Sequence, residues 1–328
     1  MAGLKTIKTK IRSIEKTQTV TKAMEAVSAS KMRKAQQKAL AGRAYARAAV
    51  SILSRVSGSR ELANHPLVRG AERLFSEASP LLPAAGENNF SASRALYIVI
   101  TSDKGLAGAL NSAVLRKVHA DSMFSGLAQE KVSIIAVGRK ANDFFVARGF
   151  AVESYHPNTD VLTPEFVAQL VDEAASAFNT GAVDVVKIAY QNFVSTFEQR
   201  PTLRTIFPLS LDELQQVVSD IVPARGVFAP IPPSGRDLDQ KVSTYSLEPS
   251  EVEVLDAILP RLASIFVYHA LLEAQASEHS ARMVSMKSAS DKAGEMEHDL
   301  TLQFNKARQA AITREVSEIT GGMEAMAA

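Results

Sequence analysis

The segment Arg261 to Ile319 contains no proline and runs from Ala274-Gln275-Ala276-Ser277-Glu278-His279 to Phe304-Asn305-Lys306-Ala307-Arg308-Gln309-Ala310-Ala311-Ile312 and beyond. Its larger or apolar residues fall at Leu272, Ala276, His279, Met283, Met286, Ala289, Ala293, Met296, Leu300, Phe304, Ala307 and Ala311. Those steps of three and four describe one stripe of a continuous helix. At about 1.5 Å per residue it reaches about 90 Å, more than a domain of this mass spans, so it needs a partner along its length. Pro260 is expected to kink its first turns or to mark its start.

A second long helix is predicted at the other end. Leu4, Ile7, Ile11, Ile14, Gln18, Thr21 and Met24 keep the same alternation, and no proline precedes Pro66, so the helix is expected from Leu4 to Arg55. Its charge is one-sided: thirteen Lys and Arg residues, from Lys5 to Arg55, stand against Glu15 and Glu25. A solvated face mixes signs, whereas this one is attracted to an acidic surface of protein, nucleic acid or phospholipid.

The whole chain has 328 residues, 46% hydrophobic and 22% charged, with 37 basic against 35 acidic side chains, enough for a sizeable core and without a global field. It has no cysteine, which excludes disulfides, thiolate metal sites and a thiol switch within it. The apolar runs, Ala95 to Ile100 and Ser264 to Ala274 broken by His269, are shorter than the roughly 20 residues of a membrane-spanning helix. A soluble or membrane-peripheral chain is expected. The N-terminus enters the helix at once without a transit segment, an expectation of a bacterial chain.

Between the long helices, Ala95 to Ile100 and Lys131 to Gly138 read as buried strands, Val183 to Tyr190 as a third and Thr202 to Leu209 as a fourth. Helices are expected over Ser112 to Ala120, Arg139 to Arg148 and Pro164 to Asn179. Alternating strands and helices imply parallel pairing. The fold class is therefore α/β with long helices: an antiparallel coiled coil of N- and C-terminal helices plus an inserted small α/β domain with a mostly parallel sheet. The expected segments are an N-terminal coiled-coil helix at 1–60, a linker at 61–93, the globular domain at 94–212, a loop excursion and return at 213–250, and the C-terminal helix at 251–328. Small seam residues such as Ser28, Ala29, Ala276, Ala289 and Ala293 predict a slender rod with much surface for a surrounding partner.

The turn Asp103-Lys104-Gly105 follows the first strand and precedes a helix, the layout of a phosphate site, yet neither Gly-x-x-x-x-Gly-Lys-Ser/Thr nor Gly-x-Gly-x-x-Gly is present. The reading is a structural turn with an exposed lysine, beside the alternative of a small-molecule enzyme. The six histidines form no His-x-x-x-His or His-Glu-x-x-His pair, so no catalytic, cofactor or metal residues are expected. His269 and His279 read as packed or hydrogen-bonded, and Met24, Met283, Met286 and Met296 as adaptable seam packing.

Three blocks carry a resemblance. They are Ile11-Arg12-Ser13-Ile14 with Thr19-Val20-Thr21-Lys22-Ala23-Met24-Glu25 and Ser30-Lys31-Met32; Thr101 to Gly108 with Leu110-Asn111; and Ala276 to His279, Ala281 to Val284 and Asn305 to Thr313. Together they resemble the gamma subunit, the central rotor stalk, of F-type ATP synthases. The sequence differs from that family's usual pattern at Lys104, Ala107 and Ala109 and is longer around Leu62 to Ser91 and Leu214 to Lys241.

The resemblance implies a single-copy, non-catalytic shaft threaded through three alpha and three beta subunits, with its α/β domain gripping the epsilon subunit and the membrane c-ring. It implies a peripheral position on the cytoplasmic face of the bacterial inner membrane and no nucleic-acid partner. Arg308 and Gln309 are expected to meet a beta-subunit loop, and Lys22, Met24, Lys31, Arg33 and Lys34 to face acidic beta segments. The competing reading is a basic coiled-coil adaptor binding nucleic acid or an acidic protein, against which the first helix lacks interleaved aromatics.

Overall fold

In a computed structural model, the structure describes residues 2–41, 62, 65–68, 94–124, 128–209 and 250–327. They form two compact units, Met1–Ser30 with Arg282–Ala328, and Lys31–Ala281. Helix α1 covers Ala2–Ala41 and helix α5 covers Glu251–Ala327. The rest of the expected first helix, 42–55, and nearly all of the expected excursion at 213–250 lie outside the described residues.

The larger unit holds a five-stranded sheet. Its strands are β1 (Ala95–Ile100), β2 (Val132–Val137), β3 (Ala151–His156), β4 (Val185–Phe193) and β5 (Gln199–Phe207), in the spatial order β3-β2-β1-β4-β5. The first four are parallel, and β5 pairs antiparallel to β4 at the edge. Strand β1 is buried along its whole length because both of its faces are covered, which is why it reads as an unbroken apolar run.

On one face Leu96, Ile98 and Ile100 pack with α4 (Pro164–Asn179) through Val167, Leu170 and Val171, and with α5 through Leu259, Phe266 and Leu271. On the other face Tyr97 and Val99 pack with α2 (Leu110–Phe124) through Val114 and Val118, and with α3 (Arg139–Val146) through Phe145. Helix α4 starts where its sequence says it should: Thr163 caps it, its hydroxyl accepting from the Phe166 amide, and Pro164 occupies the first turn.

Several expectations need correction. Pro260 does not mark the start of the last helix, which begins at Glu251, where the C-terminal segment is expected, and passes through it. The core contacts of Leu255 and Leu259 hold the turns on its N-terminal side. Residues 65–68, read as part of a linker, lie against the sheet domain: Leu62 and Leu67 are in the core, the Leu209 amide donates to the Leu67 carbonyl, and buried His65 bonds Asp256 at 2.9 Å. By length and composition alone α5 would also pass for a membrane-spanning helix, a test that the core helix of a soluble protein meets equally. Half of that apolar window is buried, as expected for a helix lining a core.

In the smaller unit α1 and α5 pack along their stripes. Leu4, Ile7, Ile11, Ile14 and Gln18 are half-buried and Thr21 and Ser28 buried, while on α5 Met286, Ser290 and Ala293 are buried and Leu300, Phe304, Ala307 and Ala311 half-buried. A Cβ added at Gly294 would stand 2.8 Å from Gln18 Nε2, so small residues do bring the helices close. Burial deepens from Gln18 toward Ser28 on one helix and from Gly294 back toward Arg282 on the other, the signature of antiparallel pairing. Met296, expected in the seam, is exposed, and Glu297 takes the half-buried position. The stripe passes from Ala293 to Leu300 by steps of four and three instead of three and four, and the expected positions beyond it hold.

Candidate partner-contact surfaces

The first surface is the outer face of α1. Lys5, Lys8, Lys10, Arg12, Lys16, Lys22, Arg33, Lys34 and Lys38 are all exposed, and Met24 is half-buried. Threonines on this helix turn their hydroxyls back to the backbone, Thr9 to the Lys5 carbonyl and Thr17 to the Ser13 carbonyl, so lysine and arginine dominate what a partner meets. Val20 and Val27, also exposed, add apolar footing beside the charges.

Lys31 differs from its basic neighbours. Its Nζ donates to Asp160 Oδ2 at 2.5 Å, so it already has an acidic partner within the chain. That hydrogen bond, against an opposing contribution from partial burial and helped by the charges of His279 and Lys104, holds the Asp160 carboxyl below the ordinary carboxylate range. The pair is exposed at 40% and 58%, which limits its own stabilisation to about 0–1 kcal/mol. Sequence reasoning missed Asp160, which lies 129 residues away with no local pattern to mark it.

The second surface is the last part of α5. Arg308 and Gln309 are exposed. Ala311 is the last half-buried residue described on α5. Beyond that point Ile312, Val316, Ile319 and Met323 fall at helical spacing on one face and are 52%, 54%, 64% and 67% exposed. Four large, exposed apolar side chains in line on one helix face form a surface suited to burial against a partner. In the sequence the stripe reads only as a continuation of the helix.

The third candidate, Asp103-Lys104-Gly105, is locked into the sheet domain. Asp103 Oδ1 accepts from the Arg139 amide at 2.7 Å, serving the first turn of α3. The Ser102 amide donates to Asn111 Oδ1, and the Ser102 hydroxyl to the Lys104 carbonyl. The Thr101 amide donates to the Val137 carbonyl. The Thr101, Ser102 and Arg139 amides around the turn are thus already committed, while Lys104 and Gly105 face solvent.

The crevice that a sheet of this order opens at the carboxyl ends of β1 and β4, where the connections reverse direction, commonly receives ligands in α/β folds. Here α5 itself crosses these strand ends. Buried Ser277 donates to the Gln191 carbonyl at 3.0 Å and Ser280 to the Thr196 carbonyl at 2.7 Å. Among the described residues no group of three His, Asp or Glu is placed to hold a metal.

A family model described as ATP synthase matches residues 3–326. A protein named ATP synthase gamma chain from Heliobacterium modesticaldum is 36% identical over 327 residues, covering 99% of this chain and 100% of that one. Its namesake from Staphylococcus saprophyticus is 34% identical over 328 residues, with 99% and 100% covered. Among solved structures, a chain of the Euglena gracilis mitochondrial ATP synthase assembly of OSCP, F1 and c-ring aligns at a TM-score of 0.61 and 19% identity, covering 99% of this chain and 95% of that one. A chain of the Tetrahymena thermophila mitochondrial ATP synthase central stalk and c-ring aligns at 0.53 and 22% identity, covering 83% and 99%. At these identities the structural likenesses speak to the fold alone.

Proposed function

The chain belongs to the ATP synthase gamma-chain family, and on that premise we propose that it is the non-catalytic rotor shaft of an F-type ATP synthase. It couples ion flow through a membrane c-ring to ATP synthesis or hydrolysis in a hexamer of three alpha and three beta subunits. The observation that carries this is the end of α5, where Ile312, Val316, Ile319 and Met323 lie exposed in a row on one helix face. A surrounding ring of subunits would bury that face. A shaft with no active site changes distant sites only by contacting them differently at different angles, and that differential contact is the coupling free energy.

In this reading Arg308 and Gln309 meet a beta-subunit loop near the shaft's far end, and Lys22, Met24, Arg33 and Lys34 face acidic segments of beta. Lys31 contributes less to that contact because Asp160 engages it. The sheet domain, with its Asp103-Lys104-Gly105 turn, serves the epsilon subunit and the c-ring. The complex sits at the cytoplasmic face of a bacterial inner membrane, with this chain a peripheral, single-copy member. The nucleic-acid adaptor reading finds no support in the family membership. Co-purification tests the proposal: a tagged chain should bring down alpha and beta in a 1:3:3 ratio, and nuclease-sensitive retention on nucleic acid without alpha or beta would refute it.

A further inference from the structure

Where the sheet domain grips the long helices is a question the family resemblance does not answer, and the loop between β3 and α4 offers a specific point. Asp160 stands in this loop with its two oxygens turned to two different helices: Oδ2 accepts from Lys31 Nζ of α1, and Oδ1 lies 3.5 Å from His279 Nε2 of α5. The preceding residue repeats the pattern, since the Thr159 carbonyl accepts from Gln275 Nε2 of α5 at 2.7 Å. The loop is itself tied down, with Asn158 Nδ2 donating to the Thr101 carbonyl at the end of β1 at 2.7 Å. On the other side of the strand ends Ser277 and Ser280 bond the Gln191 and Thr196 carbonyls. Residues 275–280 of α5 are therefore hydrogen-bonded from both sides, and Asp160 is the one group in this set that also reaches α1.

We propose that Asp160 is a positioning residue for torque transfer, a pin that fastens α1 and α5 together to the sheet domain. The inference rests on the rotor reading above. Beside the apolar packing of buried Met32 and Ala35 of α1, the carboxylate between Lys31 and His279 adds a polar tie that couples the two helices at one point of the sheet's carboxyl edge. Asp160 touches no reacting atom, and its effect is on how stiffly rotation of the helices is passed to the domain.

The test uses the complete complex in inverted membrane vesicles, comparing ATP-driven ion pumping with ATP hydrolysis. For Asp160→Ala, pumping per ATP hydrolysed should fall by up to roughly fivefold, the ceiling for an exposed ion pair, while hydrolysis persists. Asp160→Glu should retain coupling. Lys31→Ala should reproduce part of the loss, and Lys31→Ala combined with Asp160→Ala should be no worse than Asp160→Ala alone, because both remove the same contact. Should Asp160→Ala complexes fail to assemble, Asp160→Asn, which keeps the shape without the charge, is read by the same criteria. Unchanged coupling in the variant, or additive losses in the double variant, would overturn the pin. The rotor reading fails separately, if the wild-type chain does not assemble with alpha and beta or its complex does not pump.

Discussion

Gly138→Ala should be among the most damaging single substitutions of the sheet domain. Gly138 has φ 96° and ψ 140°, a conformation open to glycine, and a Cβ there would fall 2.1 Å from the Thr101 carbonyl oxygen and 2.7 Å from its carbon. Relief requires moving Thr101, and Thr101 is a hub. Its amide donates to the Val137 carbonyl, its hydroxyl oxygen accepts from the Ala141 amide, and its carbonyl accepts from Asn158. Backbone strain of about 1–3 kcal/mol and weakening of hydrogen bonds worth about 1 kcal/mol each together give a loss of about 4 kcal/mol. That is a large share of the roughly 5–15 kcal/mol by which a folded domain is stable. Urea unfolding of the purified full-length chain measures it, and with a slope of about 1–3 kcal/mol per molar the midpoint should fall by more than about 1 M. A change below about 1 kcal/mol would refute the reasoning, since it would mean the strand-end hub yields without cost.

Other outcomes follow from the same structure. Burial first, then the adjacent Asp121 carboxylate, pushes the Tyr97 phenol well above its ordinary value of 10.0, so the neutral form is favoured in the fold. The sign is that this stability is fully present below about pH 10 and is lost as pH rises above it. Thermal midpoints at alkaline pH should therefore fall less in Tyr97→Phe than in wild type, and equal alkaline losses would count against the assignment. Leu259→Ala, at a fully buried position where α5 meets the sheet, should cost about 2–5 kcal/mol in the same urea assay; a cost near zero would show that this part of α5 is not core. Replacing both Arg308 and Gln309 with alanine should leave the chain's own stability unchanged, since both are exposed, but impair assembly or ATP turnover. Normal coupled synthesis in vesicles would remove them from the beta contact.

Periodicity made much of this fold legible. The stripes on α1 and α5, the buried runs of β1, β2 and β4, and the capped helix α4 each carry a local pattern that burial enforces residue by residue. Strand β3 went unread because Ala151–His156 lies at the sheet edge with no residue fully buried, so it shows no apolar run. Pro260 does not interrupt α5, because its local cost is outweighed by the packing of Leu255 and Leu259 on the sheet. Met296 differs from Glu297 by one position, and steps of three then four or four then three both join Ala293 to Leu300, so periodicity alone does not choose between them.

Of the candidate contacts, Arg308, Gln309, Lys22, Arg33 and Lys34 are exposed, and their contact with beta comes from the resemblance, not from periodicity. The Lys31, Asp160 and His279 arrangement joins residues from three elements far apart in sequence, and pairings of that kind leave no trace in a local pattern.

Rotation itself is the most direct test of the shaft reading, and the absence of any cysteine makes it practical. Glu130 is exposed in the short helical turn Gln129–Lys131 before β2, so Glu130→Cys gives a single attachment point on the sheet domain. With the alpha-beta hexamer immobilised and a bead fixed to this cysteine, addition of ATP should drive continuous rotation in one direction. ATP hydrolysis by the same complexes with the bead stationary would contradict the central claim.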